Sequence, residues 1–314
     1  MTSFFSSLCA RVFFLCGAVL RRGGVSGVRR LAAVLGFLLW VCLPGRRRLA
    51  MRAVRERLGV SGAEAKRIAR QSFTENARSF LETALIPCFG FDDPRVRVTR
   101  PDLLRRMTAG DRPVVAATAH FGAWELLAGL FGDFPAEYPH VVVVRRSKNV
   151  ALNDFTNRMR GSRGAVILGH RDAAFSILRA LKRNGVTAFL VDHNTNRNEA
   201  VFLPFLGRAA AVNKGPALLA VRAEALVFAV FLRRDGEDYV FHIEELADTA
   251  MLDGGHEANM RTVARAYTEA VERMVRLAPE QWFWMHNRWK TRPGPDDAVP
   301  DAAPGAEAGA AARK

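Results

Sequence analysis

The chain has 314 residues and is 49% hydrophobic, so it can bury a substantial core and is not a disordered protein. Its formal net charge of +15 is concentrated at the start, because residues 1–70 hold 14 Arg or Lys and only two acidic residues. No zinc-ligand spacing, RNP-type sequence or helix-turn-helix pattern accompanies this charge, so nucleic acid is not an expected partner.

Two apolar segments open the chain, at residues 2–20 and 31–45. The second is short of the ~20 residues that a straight membrane-spanning helix needs, so it is expected to be interfacial, re-entrant or packed on the domain. Arginines follow both segments, which places them in the cytoplasm by the positive-inside rule. Residues 1–45 are therefore predicted to anchor the chain on an anionic phospholipid membrane, the inner membrane, with the remainder of the chain on its cytoplasmic face. Two buried core helices are the alternative.

A helix is predicted after these segments. Ser61 and Glu64 have the spacing of a capping box, and apolar residues follow at helical intervals until Pro87.

Beyond Pro113, short apolar runs alternate with helical patterns. Strands are predicted at 114–119, 140–144, 165–168, 186–191, 226–232 and 239–243. Helices are predicted near 123–131, 150–160, 172–183 with Asp172 as N-cap, 215–224 and 256–277. The alternation predicts an α/β fold with a largely parallel central sheet flanked by helices, behind the N-terminal apolar membrane-associated segment. The domain is assigned to residues 46–293, and the Pro-, Ala- and Gly-rich residues 294–314 are predicted to be a disordered tail.

The stretch "ATAHFGAWEL" places His120 at the carboxyl end of the first predicted strand of this sheet, where ligand sites of α/β proteins gather. Glu125 falls in the first turn of the next predicted helix. Its carboxylate could fold back on the imidazole and hold one ring nitrogen as a donor, which leaves the other to accept a proton from a hydroxyl. Alternatively, His120 satisfies a backbone group and Glu125 complements the helix dipole.

Several blocks between residues 46 and 293 resemble, in the same order, the late (lauroyl/myristoyl-type) acyltransferases of lipid A biosynthesis, within the lysophospholipid acyltransferase superfamily. They are "RRRLAMRAVRERLGVSGAEAKRIARQSF", "HFGAWE", "RRSKNVALNDFTNRMRGSRGAV", "VDHNTNRNEAVFLPFLGRAAAVNKGPALLAVRAEALVFAVFLRR" and "PEQWFWMHNRWKTRP". The last block is far more specific than the His-Glu spacing.

The resemblance implies transfer of a fatty acyl chain from acyl carrier protein to a hydroxyl of a lipid A precursor. It assigns His120 as the general base and Glu125 as the acid that orients it. No GxSxG nucleophile elbow is found in the sequence, so the hydroxyl is expected to attack the thioester directly. Because the thioester is already activated, no cofactor or metal is expected.

The resemblance also assigns an arginine, matched here by Arg160, which would stabilise the oxyanion. Arg158 and Arg145 are candidates for binding the phosphates or acidic sugars of the acceptor, or they form a solvated face. Asp192 is grouped with these substrate-binding residues, although fixing a loop or an arginine is its favoured role.

The final block is interpreted as a helix with Trp282, His286 and Trp289 on one face. Core packing is the favoured explanation for this face, and a membrane-interface belt is the alternative. An acidic-Gly-Thr-Arg core, typical of the glycerolipid branch of the superfamily, is absent around residues 202–208. Two alternatives remain open: an acyltransferase for another glycolipid or a lysophospholipid, and a non-enzymatic basic protein that binds membrane or nucleic acid.

Overall fold

The computed structural model describes residues 2–144, 149–169, 173–295 and 297, with side chains from residue 15 onward. Over this part of the chain nine α-helices form: α1 Thr2–Cys42, α2 Pro44–Leu58, α3 Gly62–Glu82, α4 Pro101–Met107, α5 Leu127–Leu130, α6 Val150–Gly161, α7 Ala173–Leu181, α8 Gly215–Arg222 and α9 His256–Leu277. The strands are β1 Val96–Val98, β2 Val114–Thr118, β3 His140–Val144, β4 Val166–Gly169, β5 Val186–Leu190, β6 Ala200–Phe205, β7 Arg208–Asn213, β8 Leu226–Asp235 and β9 Asp238–Asp248.

Seven strands form one sheet in the order β1-β9-β8-β2-β5-β3-β4. The strands from β8 to β4 are parallel to one another, whereas β9 pairs antiparallel with β8 and carries β1 in parallel at the edge. The predicted α/β fold with a largely parallel sheet is therefore confirmed. Each of the six predicted strands is present within a few residues of its predicted bounds.

The sheet separates two apolar cores. All five residues of β2 are buried because this central strand is covered on both faces, which explains its unbroken apolar run. Val115 and Ala117 face the core built with α2, α3 and α7 to α9, whereas Val114 and Ala116 face the core built with α1 and α4 to α6. The carboxyl ends of β2, β5 and β3 consequently open at one edge between two layers of helices.

Helix α1 joins the two predicted apolar segments into one helix with a kink at Gly24, whose φ is 59°. One side of it is packed on the domain, so closely that a Cβ at Gly36 would come within 2.5 Å of the Thr74 Cα in α3. The opposite side exposes large apolar side chains: Leu15, Val19, Leu31, Val34, Phe37, Leu38 and Val41. Residues Leu15–Cys42 are long and apolar enough to cross a membrane, a criterion that core helices and signal sequences also meet.

Helix α3 begins as predicted, with the Ser61 hydroxyl accepting a hydrogen bond from the Glu64 amide at 3.2 Å. The α-helix ends at Glu82 rather than at Pro87, because a 3-10 helix, Thr83–Cys88, takes over before the proline.

Three predictions differ from the structure. Residues 123–131 form only the single turn of α5, and the Trp-rich segment after the 3-10 helix Pro279–Gln281 is not helical. The β6–β7 hairpin was not predicted; it turns at Leu206 and Gly207, both with positive φ, as a two-residue hairpin loop requires. Asp172 and most of the predicted tail lie outside the described residues.

Candidate active site

The carboxyl ends of β2 and β5 bring His120 and Asp192 together. The two parallel strands are in register up to Thr118 and Leu190, and the same offset two residues later sets His120 beside Asp192. Asp192 Oδ2 accepts a hydrogen bond from the His120 amide at 3.0 Å, and Oδ1 lies 2.8 Å from His120 Nδ1. Backbone and ring of the histidine are therefore both fixed by one carboxylate.

Asp192 is only 5% exposed and also accepts a hydrogen bond from the Trp282 indole at 2.9 Å. Burial alone would raise the pKa of this carboxyl, but the neighbouring His120 and the Trp282 N–H hold it well below its ordinary value. An ionised carboxylate only accepts hydrogen bonds, so His120 Nδ1 must carry the proton. In the neutral imidazole, Nε2 is then the proton acceptor.

The predicted contact between Glu125 and His120 is wrong. Gly122 turns the chain with a φ of 59°, and a Cβ there would overlap the Leu232 carbonyl oxygen, so only glycine fits. This turn directs Glu125 towards α6, where its two carboxylate oxygens accept from Arg160 Nε at 2.8 Å and Nη2 at 2.7 Å. Asp192, not Glu125, holds the imidazole.

The Glu125–Arg160 pair is bidentate and mostly buried, with side-chain exposures of 5% and 18%. Burial opposes the charge on Arg160, but Glu125 raises the pKa of the guanidinium above its ordinary value. The third nitrogen of the guanidinium, Nη1, has no hydrogen-bond partner among the described residues. It is available to a ligand because Arg160 lines the adjoining cavity.

A cavity of about 800 Å³ joins these groups, a volume typical of small-molecule sites. Its polar end is lined by His120, Glu125, Arg160 and His193. Its apolar wall comes from the sheet and the segment after α5: Ala116, Phe131, Phe134, Val142, Ala188, Val230 and Phe241. The cavity therefore suits a ligand with a long apolar part and a polar end beside His120.

His193, which directly follows Asp192, places its Nε2 2.9 Å from Nε2 of His120. Burial, with His120 nearby, lowers the pKa of His193 to about 3. Burial also lowers the pKa of His286 to about 4, and the His286 Nε2 accepts a hydrogen bond from the Asn194 amide at 2.9 Å. Both His193 and His286 are neutral at neutral pH.

The three residues predicted to bind substrate have other positions in the structure or lie outside its described part. Asp192 does not line the cavity and both its oxygens are engaged by protein groups, so its assignment to substrate binding is corrected to holding the imidazole. Arg158 is exposed on α6 and does not line the cavity. Arg145 lies outside the described residues.

The Trp-rich segment contacts the site residues through Trp282. Trp282 is buried in the core and Trp289 packs against the same core partly buried, so core packing is confirmed for these two residues. Trp282 also pairs with Phe121 as an isolated β-bridge. Sequence reasoning missed both the Trp282 donor and the position of His193. Among the described residues, no group of three or more His, Cys, Asp or Glu is placed to hold a metal ion.

Comparison with known proteins adds a consistent set of matches. A family model described as bacterial lipid A biosynthesis acyltransferase matches residues 10–291. The lipid A biosynthesis lauroyltransferase of Escherichia coli K12 is 26% identical over 243 residues, which are 74% of this chain and 75% of that protein. The lipid A biosynthesis palmitoleoyltransferase of the same strain and a lipid A biosynthesis acyltransferase of Shigella flexneri are each 26% identical over 238 residues, or 74% of both chains.

Proposed function

The chain belongs to the bacterial lipid A biosynthesis acyltransferase family, and from that premise we propose that it transfers a fatty acyl chain from an acyl carrier protein thioester to a hydroxyl of a lipid A precursor. Acyl transfer in lipid A biosynthesis follows from the family. The thioester donor, the roles of the residues and the side of the membrane are the parts proposed here.

One observation carries the mechanism: an Asp192-held imidazole stands at the polar end of a largely apolar cavity. The carboxylate fixes the tautomer in which His120 Nδ1 donates, so Nε2 is the nitrogen that gains a proton when the hydroxyl is deprotonated. Two further N–H donors on Asp192 stabilise its charge, which in turn stabilises the imidazolium formed during reaction.

In the proposed reaction the hydroxyl oxygen attacks the thioester carbonyl as the proton leaves towards His120. Arg160 Nη1 donates to the oxyanion of the tetrahedral intermediate, since Glu125 fixes the other side of the guanidinium. The intermediate then collapses, the C–S bond breaks, and the thiolate recovers the proton. The thioester supplies the activation, so these residues need no cofactor.

The apolar wall of the cavity is proposed to hold the acyl chain, with its carbonyl carbon at the polar end. The exposed apolar side of α1 is proposed to contact the membrane, and the arginines of α2 its anionic headgroups. We place the domain on the cytoplasmic face of the inner membrane, where acyl carrier protein is present.

The test uses the full chain in detergent with labelled acyl carrier protein thioester and a lipid A precursor. We expect His120→Gln to lower kcat/KM by about 10³-fold, and Asp192→Asn by a similar factor, because the amide no longer enforces the tautomer. His242→Gln and Asp248→Asn are the same substitutions outside the cavity and should retain wild-type transfer.

Wild-type rates in both site variants would refute the mechanism. Mass spectrometry of lipid A from a deletion strain tests the acceptor: loss of one secondary acyl chain supports the proposal, and unchanged lipid A points to another glycolipid or a lysophospholipid.

A further inference from the structure

The acceptor nitrogen of His120 is already occupied. Its Nε2 lies 2.9 Å from Nε2 of His193, and the two rings meet almost edge to face with centroids 4.1 Å apart. In the neutral His120 ring the single N–H proton lies on Nδ1, which donates to Asp192, so Nε2 has a lone pair and no proton. The proton of this contact must therefore lie on His193 Nε2, which donates to His120.

This assignment fixes the tautomer of His193 as well. With its proton on Nε2, the neutral ring has a lone pair on Nδ1. Nδ1 of His193 has no hydrogen-bond partner within the described part of the chain, and the residue lines the cavity. A free acceptor nitrogen is thus presented where a substrate hydroxyl would enter.

The segment that carries His193 is held on both sides. The Asn194 amide donates to His286 Nε2 at 2.9 Å, and the Asn194 side chain exchanges hydrogen bonds with the side chain and the amide of Thr291 at 3.0 and 2.9 Å. The His193 backbone is consequently anchored. A fixed position suits a residue that relays a proton better than one that moves away when the substrate binds.

We propose that His193 is a second catalytic residue, which takes the proton from the acceptor hydroxyl at Nδ1 and passes its own Nε2 proton to His120. This inference rests on the proposed acyl transfer and extends it. It makes His193 the group that touches the hydroxyl, with His120 and Asp192 behind it as the site where positive charge resides.

The transfers balance. The hydroxyl O–H bond breaks, its proton binds His193 Nδ1, and the oxygen forms a bond to the acyl carbon. At the same time the His193 Nε2–H bond breaks and that proton binds His120 Nε2, so His120 becomes an imidazolium beside ionised Asp192. On collapse of the intermediate the C–S bond breaks. The same two transfers then run backwards, and the thiolate takes the proton from His193 Nδ1.

The relay is tested with His193→Gln, which can still donate to His120 but cannot accept a proton on one side and release one on the other. We expect kcat to fall about 100-fold and the acceptor KM to stay within about threefold. In mixtures of H2O and D2O, a plot of the wild-type rate against the deuterium fraction should be curved rather than straight, because two protons move in the same step. His193→Gly should regain turnover when free imidazole is added.

His242→Gln, the same change at a partly buried histidine outside the cavity, should leave all these values unchanged. Three results would each overturn the relay: wild-type kcat in His193→Gln, an unaltered curve in that variant, or faster turnover in His193→Gly. The proposed function is tested separately in the same assay: it stands if the wild type transfers the acyl chain and His120→Gln is about 10³-fold slower in kcat/KM, and it fails if the two proteins transfer at the same rate.

Discussion

The protein buries two clusters of charged side chains, and the clusters differ in whether their residues line the cavity. The sealed cluster, Glu75, Arg78, Glu82 and Arg234, fills the contact between α3 and β8. The Glu82 Oε1 accepts from Arg78 Nε at 3.0 Å and from Arg234 Nε at 3.1 Å, and its Oε2 accepts from Arg234 Nη2 at 2.5 Å. Glu75 adds the second negative charge, so two cations face two carboxylates. None of the four lines the cavity.

In the cavity cluster, His120, Asp192, His193, Glu125 and Arg160, both carboxylates are also paired. Glu125 contacts Arg160 directly, and Asp192 is linked to His193 through His120, and each series of contacts ends at a residue that lines the cavity. His193 has Nδ1 to offer and Arg160 has Nη1. The sealed cluster is the more buried of the two, and it fastens one helix to the sheet. What distinguishes the cavity cluster is therefore the direction of its free atoms, not the strength of its ion pairs.

The largest effect that separates the clusters is expected from Glu82→Gln. The substituted amide carries no charge, so two buried guanidinium groups keep only Glu75 as a counter-charge. Burial opposes the charge on Arg234, and Glu82 is the main group that raises the pKa of that guanidinium. Removing one partner of a buried pair costs about 3–5 kcal/mol in the free energy of unfolding. Urea denaturation in detergent measures this loss, and the enzyme that stays folded should keep the wild-type KM.

Glu244→Gln is the matched control, since Glu244 pairs with Arg273 through both oxygens while each side chain is about half exposed. Exposed pairs of this kind contribute under about 1 kcal/mol. If both variants lost the same stability, the sealed cluster would not be the fastening that its burial indicates.

A second, smaller effect tests which residues of the cavity cluster depend on one another. Glu125→Gln and Arg160→Gln each remove one half of the bidentate pair, so we expect the double variant to be no worse in kcat than the poorer single variant. The coupling energy should be about 2 kcal/mol. Glu125→Gln and Asp192→Asn lie on different chains of contact and should be nearly additive. Strong coupling between Glu125→Gln and Asp192→Asn would instead support the direct Glu125–His120 contact that the sequence predicts.

The fold was largely predictable because the strands that build its centre are buried on both faces. The run "HVVVV" became β3 with the predicted bounds, and α9 covers 256–277 as its apolar period predicted. The β6–β7 hairpin was missed for physical reasons. Pro204 argues against a strand and three alanines in β7 have little strand propensity, so tertiary packing decides the structure there.

The site was predicted only in part, because spacing along the chain favours near neighbours. His120 is predicted from its place at a strand end, and Glu125 is predicted as its partner from the first turn of the next helix and from the family resemblance. The partner in the structure is 72 residues away, and only the β2–β5 register pairs them. Sequence patterns predict strands but not which strand lies beside which, so Asp192 was identified without its role.

The smallest expected effect is a pH dependence of stability that belongs to the cavity side. The pKa of His193 is lowered to about 3 and that of His286 to about 4, chiefly by burial, against ~6.5 in an unfolded chain. Between these values the unfolded chain binds more protons than the folded one, so stability is full above pH ~6.5 and falls as the pH drops towards ~4. Asp192 faces both rings and favours their protonated forms, while His120 and Arg288 disfavour them.

From pH 7 to pH 5 the loss should be roughly 1–2 kcal/mol for each of these histidines, since partial exposure screens the full shift. Urea midpoints of His193→Gln/His286→Gln should therefore depend less on pH than those of the wild type. His140 and His242, whose pKa values burial also lowers, leave a residual slope. Glu82→Gln removes no histidine and should lower the whole curve without changing its slope in this window. A parallel curve for the double histidine variant would mean that burial does not keep these two rings unprotonated in the folded state.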